Sequence, residues 1–162
     1  MRKVSSGFKE HLLFGALCWG IFYAAAFFLF DLQNPIIIAI TFVLTELGAL
    51  FPDVDTNSKG QDIFYVLFMA ADVYLIWNGY YKEAAILGFL AMLPVVVHHR
   101  GWTHWWATAF IIPLPLLLPT FADNPLFGGG YYYYAAAVIG YLSHVFLDRT
   151  QNNILRFIFF WV

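Results

Sequence analysis

"HLLFGALCWGIFYAAAFFLF", residues 11–30, is the stretch on which the fold turns. From Leu12 to Phe30 it runs for 19 residues without a charge or a proline. A helix rising about 1.5 Å per residue needs about 20 such residues to cross the hydrocarbon core of a bilayer. The basic start "MRKVSSGFK" resembles the opening of a secretion signal, but the apolar run outlasts a typical signal core. "AAA" at 24–26 leads into "FFLF" rather than a polar mature start. The reading is a retained first transmembrane helix.

The rest of the chain is of the same kind. Of 162 residues, 62% are hydrophobic, 21% aromatic and only 11% charged, against about 25% charged in a soluble domain. Too few polar groups are present to cover a soluble surface, so a single integral membrane domain spanning 1–162 is expected. A net charge of −2 excludes a strongly basic nucleic-acid binder, and no nucleic acid is expected as a partner. Cys18 is the sole cysteine, which excludes an intramolecular disulfide and a multi-cysteine metal site. It reads as a small packed hydrophobe.

Apolar runs fall at 12–30, 36–51, 63–78, 84–97, 105–120 and 131–147, with a short tail at 154–162. The first, fifth and sixth are long enough to span; the second, third and fourth need help from their flanks. The expected fold class is all-α, a polytopic membrane protein with about six transmembrane helices. Between the runs, "FDLQNP", "PDVDTNSKGQD", "NGYYKE", "HHRGWTH" and "FADNPLFGGGYYYY" carry the residues of turns and helix starts. The tyrosines at 131–134 suit an interfacial belt.

Alternating six helices from the N-terminus puts Arg2, Lys3, Lys9, Lys59, Arg100, Arg149 and Arg156 on one side and Lys82 on the other. That bias marks the first side as cytoplasmic, with both termini there. The same alternation gathers His11, Asp53, Asp55, His98, His99, His104, His144 and Asp148 at the cytoplasmic helix ends, and leaves no histidine outside.

Each motif has a chemical reading and a plainer one. In "PDVD", Asp53 and Asp55 stand two apart, so in extended chain both face one ion; the alternative is a solvated turn or a cap for the next helix. "HHRGWTH" offers imidazoles at 98, 99 and 104, which suit zinc, iron or manganese with carboxylates completing the shell. They equally suit headgroups and backbone. His144 and Asp148 are four apart, on one face if helical, either sharing a metal or paired with each other. His11 opens the first helix and is weak by itself. Together the four segments supply enough ligands for one or two divalent ions with positions left for water and substrate. Glu46, seven before Asp53, is placed to orient a ligand. Asp72 lies deep in the third run and needs a polar partner. Arg100 is either a phosphate clamp or a cytoplasmic anchor.

These motifs carry a resemblance. "HLLFGAL" from His11, "PDVD" at 52–55, "HRGWTH" at 99–104 and "GYLSHVFLD" at 140–148 resemble, in order and over nearly the whole chain, the YdjM-type inner-membrane proteins, described as membrane-bound metal-dependent hydrolases. That family looks distantly similar to the zinc phospholipase C and P1 nuclease group. The resemblance implies His11, Asp53, Asp55, His99, His104, His144 and Asp148 as metal ligands, leaves the part of His98 open, and implies zinc as the metal. Two departures stand out: Trp105 replaces a serine common after "TH", and "DRTQNNI" replaces the pattern D-x-x-T-x-x-G.

The expected activity is hydrolysis of a phosphoester or lipid-type ester by a metal-activated water, with membrane lipids as neighbours and a lipid or phosphoester as substrate. A divalent ion brings the pKa of a bound water down to about 7. Asp53 and Asp55 would bridge ions and accept the water proton, and Arg100 would stabilise developing negative charge. Two other classes fit the residues. A metal-ion transporter predicts a site near the midplane between broken helices; a structural metal staple predicts a closed coordination sphere.

Overall fold

The computed structural model describes residues 7–54, 58–96, 103–117 and 129–160. Among these the chain is helical throughout, with no strand. The first helix, α1 (Phe8–Phe30), starts where the Glu10 carboxylate accepts from the Gly7 N–H, one half of a capping box. It ends at Asp31, whose φ of 53° is left-handed and whose N–H donates back to the Phe27 carbonyl. A short turn leads to α2 (Pro35–Leu50). Asn34 Oδ1 accepts from the Ile36 and Ile37 N–H groups, and Pro35 takes the first helical position, where its missing donor costs nothing. A single 3₁₀ turn, Phe51–Asp53, extends α2.

Ser58 caps α3 (Lys59–Trp77) by accepting from the Gln61 N–H, and its own hydroxyl donates to the Asp53 carbonyl. The start of α3 is thus clasped to the end of α2. Asn78 and Gly79 turn the chain into α4 (Tyr81–Val96), with Gly79 at φ 80°, where a side chain would be strained. Then come a single-turn helix, α5 (Thr108–Ile111), a 3₁₀ turn at Leu114–Leu117, and the long helix α6 (Gly130–Phe160).

Among the described residues, three helices are long and apolar enough to cross a membrane: Phe8–Phe30, Pro35–Asp53 and Lys59–Trp77. Their outward faces are greasy; α1 exposes Leu13, Leu17, Ile21 and Phe28 while it buries His11, Gly15 and Ala26. Some runs meet the sequence expectation of help from their flanks, and others depart from it. The second run reaches spanning length because the 3₁₀ turn prolongs it, and the third because its helix begins at Lys59. The fifth run, expected to span easily, is broken within the described residues, since Pro113 and Pro115 withdraw two N–H donors from the ladder.

The sixth run was expected to close at His144 and Asp148; instead α6 continues to Phe160 and places both in mid-helix. Nothing after Asp148 stops it: "RTQNN" contains neither glycine nor proline, and the Thr150 hydroxyl turns back onto the Phe146 carbonyl.

The core is the contact of α6 with α2, and then with α1. It is a crossing of small residues. A Cβ on Gly140 would collide with the Thr45 carbonyl, and one on Gly48 would lie 2.5 Å from the Ala137 carbonyl oxygen. Thr45 Oγ1 bridges the helices, within reach of the Thr41 carbonyl at 2.9 Å and the Ala136 carbonyl at 3.2 Å. Such close backbone approach is how helices associate where no hydrophobic drive separates protein from lipid.

Candidate metal centre

The close crossing decides what the polar residues do. It sets the last turn of α2 against the middle of α6, so that His144 Nδ1 lies 2.7 Å from the Ala49 carbonyl oxygen. Ala49 lies in the last turn of α2, where a helix no longer supplies every carbonyl with a donor. A carbonyl only accepts, so Nδ1 carries the proton and donates. In the neutral ring the lone pair is then on Nε2. That atom is buried and has no hydrogen-bond partner among the described residues. It faces Asp53 Oδ1 at 3.7 Å and Asp148 Oδ2 at 3.6 Å.

His11 arrives from the first turn of α1. Gly15, one turn on, lets α1 lie against α2, since a Cβ there would be 3.1 Å from the Ala49 Cβ. The His11 ring stacks on that of His144, with centroids 3.7 Å apart and planes 8° from parallel. Its Nε2 lies 3.5 Å from Asp148 Oδ1. His104 comes from the segment before α5. Its neighbour Thr103 is fully buried and held to α6 by the Tyr141 hydroxyl, which donates to the Thr103 carbonyl. His104 Nε2 lies 3.4 Å from Asp148 Oδ2, and its Nδ1 is 3.2 Å from Thr103 Oγ1.

His11, Asp53 and His144 form one group able to hold a metal, and His104, His144 and Asp148 another. The spacing fits an ion. Nitrogen and oxygen atoms each about 2.1 Å from a tetrahedral ion lie about 3.4 Å from one another; N–H···O bonds are shorter, about 2.7–3.2 Å. The four His–Asp distances, 3.4 to 3.7 Å, match the first figure. A buried lone pair aimed at two carboxylates is repulsive unless a proton or a metal cation lies between them. The Ala49 carbonyl and the Thr103 hydroxyl are placed as the outer hydrogen-bond partners that would orient His144 and His104 as metal ligands. The cluster is also open on one side: the His11 and His144 side chains are 1% and 0% exposed, but His104 is 28% and Asp148 20% exposed.

Five of the ligand candidates read from the sequence therefore converge: His11, Asp53, His104, His144 and Asp148. Asp55, His98, His99 and Arg100 lie outside the described residues. Glu46 packs against Gly15, one turn inward from His11, and its Oε1 is buried without a hydrogen bond among the described residues. Asp72 faces Gly88 of α4, and its Oδ1 likewise has no hydrogen-bond partner among the described residues.

The ordered motifs and this cluster meet in one comparison. The family model of the YdjM inner membrane proteins matches residues 7–158. The chain belongs to that family. No curated protein and no solved structure matches it. Within the YdjM match lie all five converging residues, and also Ala49, Thr103 and Tyr141, which sequence reading passed over. Of these, Thr103 carried a signal, as the hydroxyl beside a candidate ligand in "GWTH". Ala49 acts through its backbone and carried none.

Proposed function

We propose that this YdjM-family protein is a membrane-bound metal-dependent hydrolase acting on a phosphoester or lipid-type ester. The observation that carries the reading is His144: its tautomer is set by the Ala49 carbonyl, and its buried Nε2 is aimed at two carboxylates. The metal is zinc by family resemblance, and the mixed nitrogen and oxygen donors also suit manganese or iron. A divalent ion held here would acidify a water and neutralise charge on the reacting oxygen.

The chain's own groups complete the chemistry. Asp53 and Asp148, each partly exposed, border the side of the cluster on which a water and an ester can approach. Asp53 is placed to take the water's proton, with Asp55 beside it in sequence; Arg100, four residues before His104, supplies positive charge for the developing oxyanion. In membrane terms the reading is six spans in the inner membrane, both termini cytoplasmic, with the site at the cytoplasmic side. The likeness to the zinc phospholipase C and P1 nuclease group belongs to the same proposal and favours a phosphoester, lipid or lipid-linked.

The open side of the cluster counts against a purely structural metal, which would be closed. His11 in the first turn of α1 and Asp53 at the end of α2 stand at helix termini, which counts against a midplane transport site. The test is elemental analysis of the protein purified in detergent without chelator, beside an Asp53→Ala/His104→Ala double variant, followed by a screen of phosphoesters and lipids. Bound zinc, manganese or iron, lost in the variant, together with chelator-sensitive hydrolysis, is the expected result. No transition metal in the wild type after reconstitution overturns it.

A further inference from the structure

The depth of the cluster can be read from the helices that carry it. His11 stands 19 residues before the end of α1 at Phe30, and Asp53 stands 18 residues after the start of α2 at Pro35. At about 1.5 Å per residue these are lengths of about 27–29 Å, close to the hydrocarbon core of about 30 Å. Where α1 and α2 span a bilayer, the cluster therefore lies at one boundary of its core, level with the ester and phosphate groups of the lipids.

The chain beside the more exposed ligands is apolar on its outer side. After His104 come Trp105 and Trp106, each 55% exposed, and then Phe110 at 40%. Their rings form a line, with centroids 6.5 Å apart from Trp105 to Trp106 and 6.4 Å from Trp106 to Phe110. The line runs inward along α6. The Tyr141 hydroxyl donates to the Thr103 carbonyl, and two turns nearer the start of α6 the Tyr134 hydroxyl donates to the Phe110 carbonyl. Tryptophan favours the headgroup level of a membrane, with its apolar ring turned to the chains. The outer side of α6 is graded in the same direction. Phe146 and Arg149, three apart and so on one face, are both exposed, the ring toward the core and the cation away from it. Asp148 lies between them along the helix.

We propose that the cluster opens sideways into the bilayer, and that its substrate is a membrane phospholipid drawn from the leaflet. The lipid chains lie along Trp105, Trp106 and Phe110, and Arg149 attracts the phosphate. Water adds its oxygen to phosphorus, one phosphorus–oxygen ester bond breaks, and the departing alcohol takes the proton. The proposal rests on the hydrolase reading above and narrows it: a soluble phosphoester, which has no chains to lay along the aromatic line, is not the substrate. Trp105 and Trp106 thereby become specificity-determining residues that touch no ion.

The test uses the full chain in nanodiscs of phosphatidylglycerol and phosphatidylethanolamine, loaded with manganese and with no other phosphate present. Electron–nuclear double resonance should detect lipid phosphorus beside the ion. In Trp105→Ala/Trp106→Ala, bound manganese should stay at the wild-type level while the phosphorus signal falls several-fold. Fluorescence supplies a readout that needs no metal: the emission lost in Trp105→Phe/Trp106→Phe should be quenched by brominated lipid and not by iodide. Bound metal without a lipid phosphorus signal, or tryptophans quenched by iodide alone, overturns the sideways route and leaves the hydrolase reading standing. A signal unaltered in the alanine variant overturns the part given to Trp105 and Trp106. No bound metal overturns both readings. Should the alanine variant fail to fold, the wild-type signal and the quenching of the phenylalanine variant decide.

Discussion

His144 of α6 donates from Nδ1 to the Ala49 carbonyl at the end of α2, over 2.7 Å, and this one bond joins helix packing to ligand chemistry. It orients the ring, sets its tautomer and satisfies a carbonyl the helix leaves over. His144→Ala should therefore do two separable things. Metal is lost, and with chelator present throughout, the variant remains less stable than wild type by about 1–3 kcal/mol, the cost of a buried carbonyl left without a donor. Thermal unfolding in detergent, followed by circular dichroism with chelator, measures the second effect free of the first.

The close crossing of α2 and α6 should be as necessary to the metal as any ligand. Gly140→Ala would thrust a methyl group at the Thr45 backbone, and Gly48→Ala one at Ala137. Each should cost about 1–3 kcal/mol through overpacking and reduce bound metal, although neither residue touches an ion. Gly20→Ala on α1, where a Cβ meets nothing within 4 Å, is the control. It should leave metal content unchanged; elemental analysis of the three variants decides.

Thr103→Val keeps the buried shape and removes the oxygen beside His104 Nδ1. With that outer bond gone, metal affinity should fall about 10–100-fold. Competition against a chelating dye reads the change directly, and an unaltered affinity would show that the hydroxyl does not orient the ring.

Tyr141→Phe releases the Thr103 carbonyl while leaving the aromatic packing against Phe51 in place. The expected loss is about 1 kcal/mol of stability, accompanied by greater protease access to the segment before α5. Limited proteolysis of variant and wild type, each with and without zinc, tests this.

Metal removal should destabilise the whole bundle, since the ligands come from α1, the end of α2, the segment before α5, and α6. Zinc restored at one hundred times its dissociation constant should return about 2.7 kcal/mol. Melting temperature as a function of free zinc tests it, and a flat response would show that the ion is not coupled to folding.

Much of this centre is legible in the sequence because charge is costly beside lipid. His11, Asp53, His104, His144 and Asp148 stand out from apolar surroundings, and their order along the chain points to convergence. What does not show is anything set by how helices cross. The stacking of His11 on His144 depends on Gly15 admitting the Ala49 side chain and Gly48 admitting the α6 backbone, and the role of Ala49 belongs to a carbonyl common to every residue. Helix ends are misread for a related reason. Hydropathy registers the drop in apolarity after Asp148, whereas the backbone responds to glycine and proline: none stops α6, and Pro113 and Pro115 break the fifth run.

The ligands are also spread widely along the chain, and this bears on when the centre comes into being. His11 and Asp53 are made early, but His144 and Asp148 are carried by α6, the last of the described helices. A nascent chain has neither the central imidazole nor the shared carboxylate until that helix is made and laid against α2. If the cluster holds an ion as proposed, its capture would be a late event of biogenesis, and a molecule whose α6 has failed to insert would stay empty.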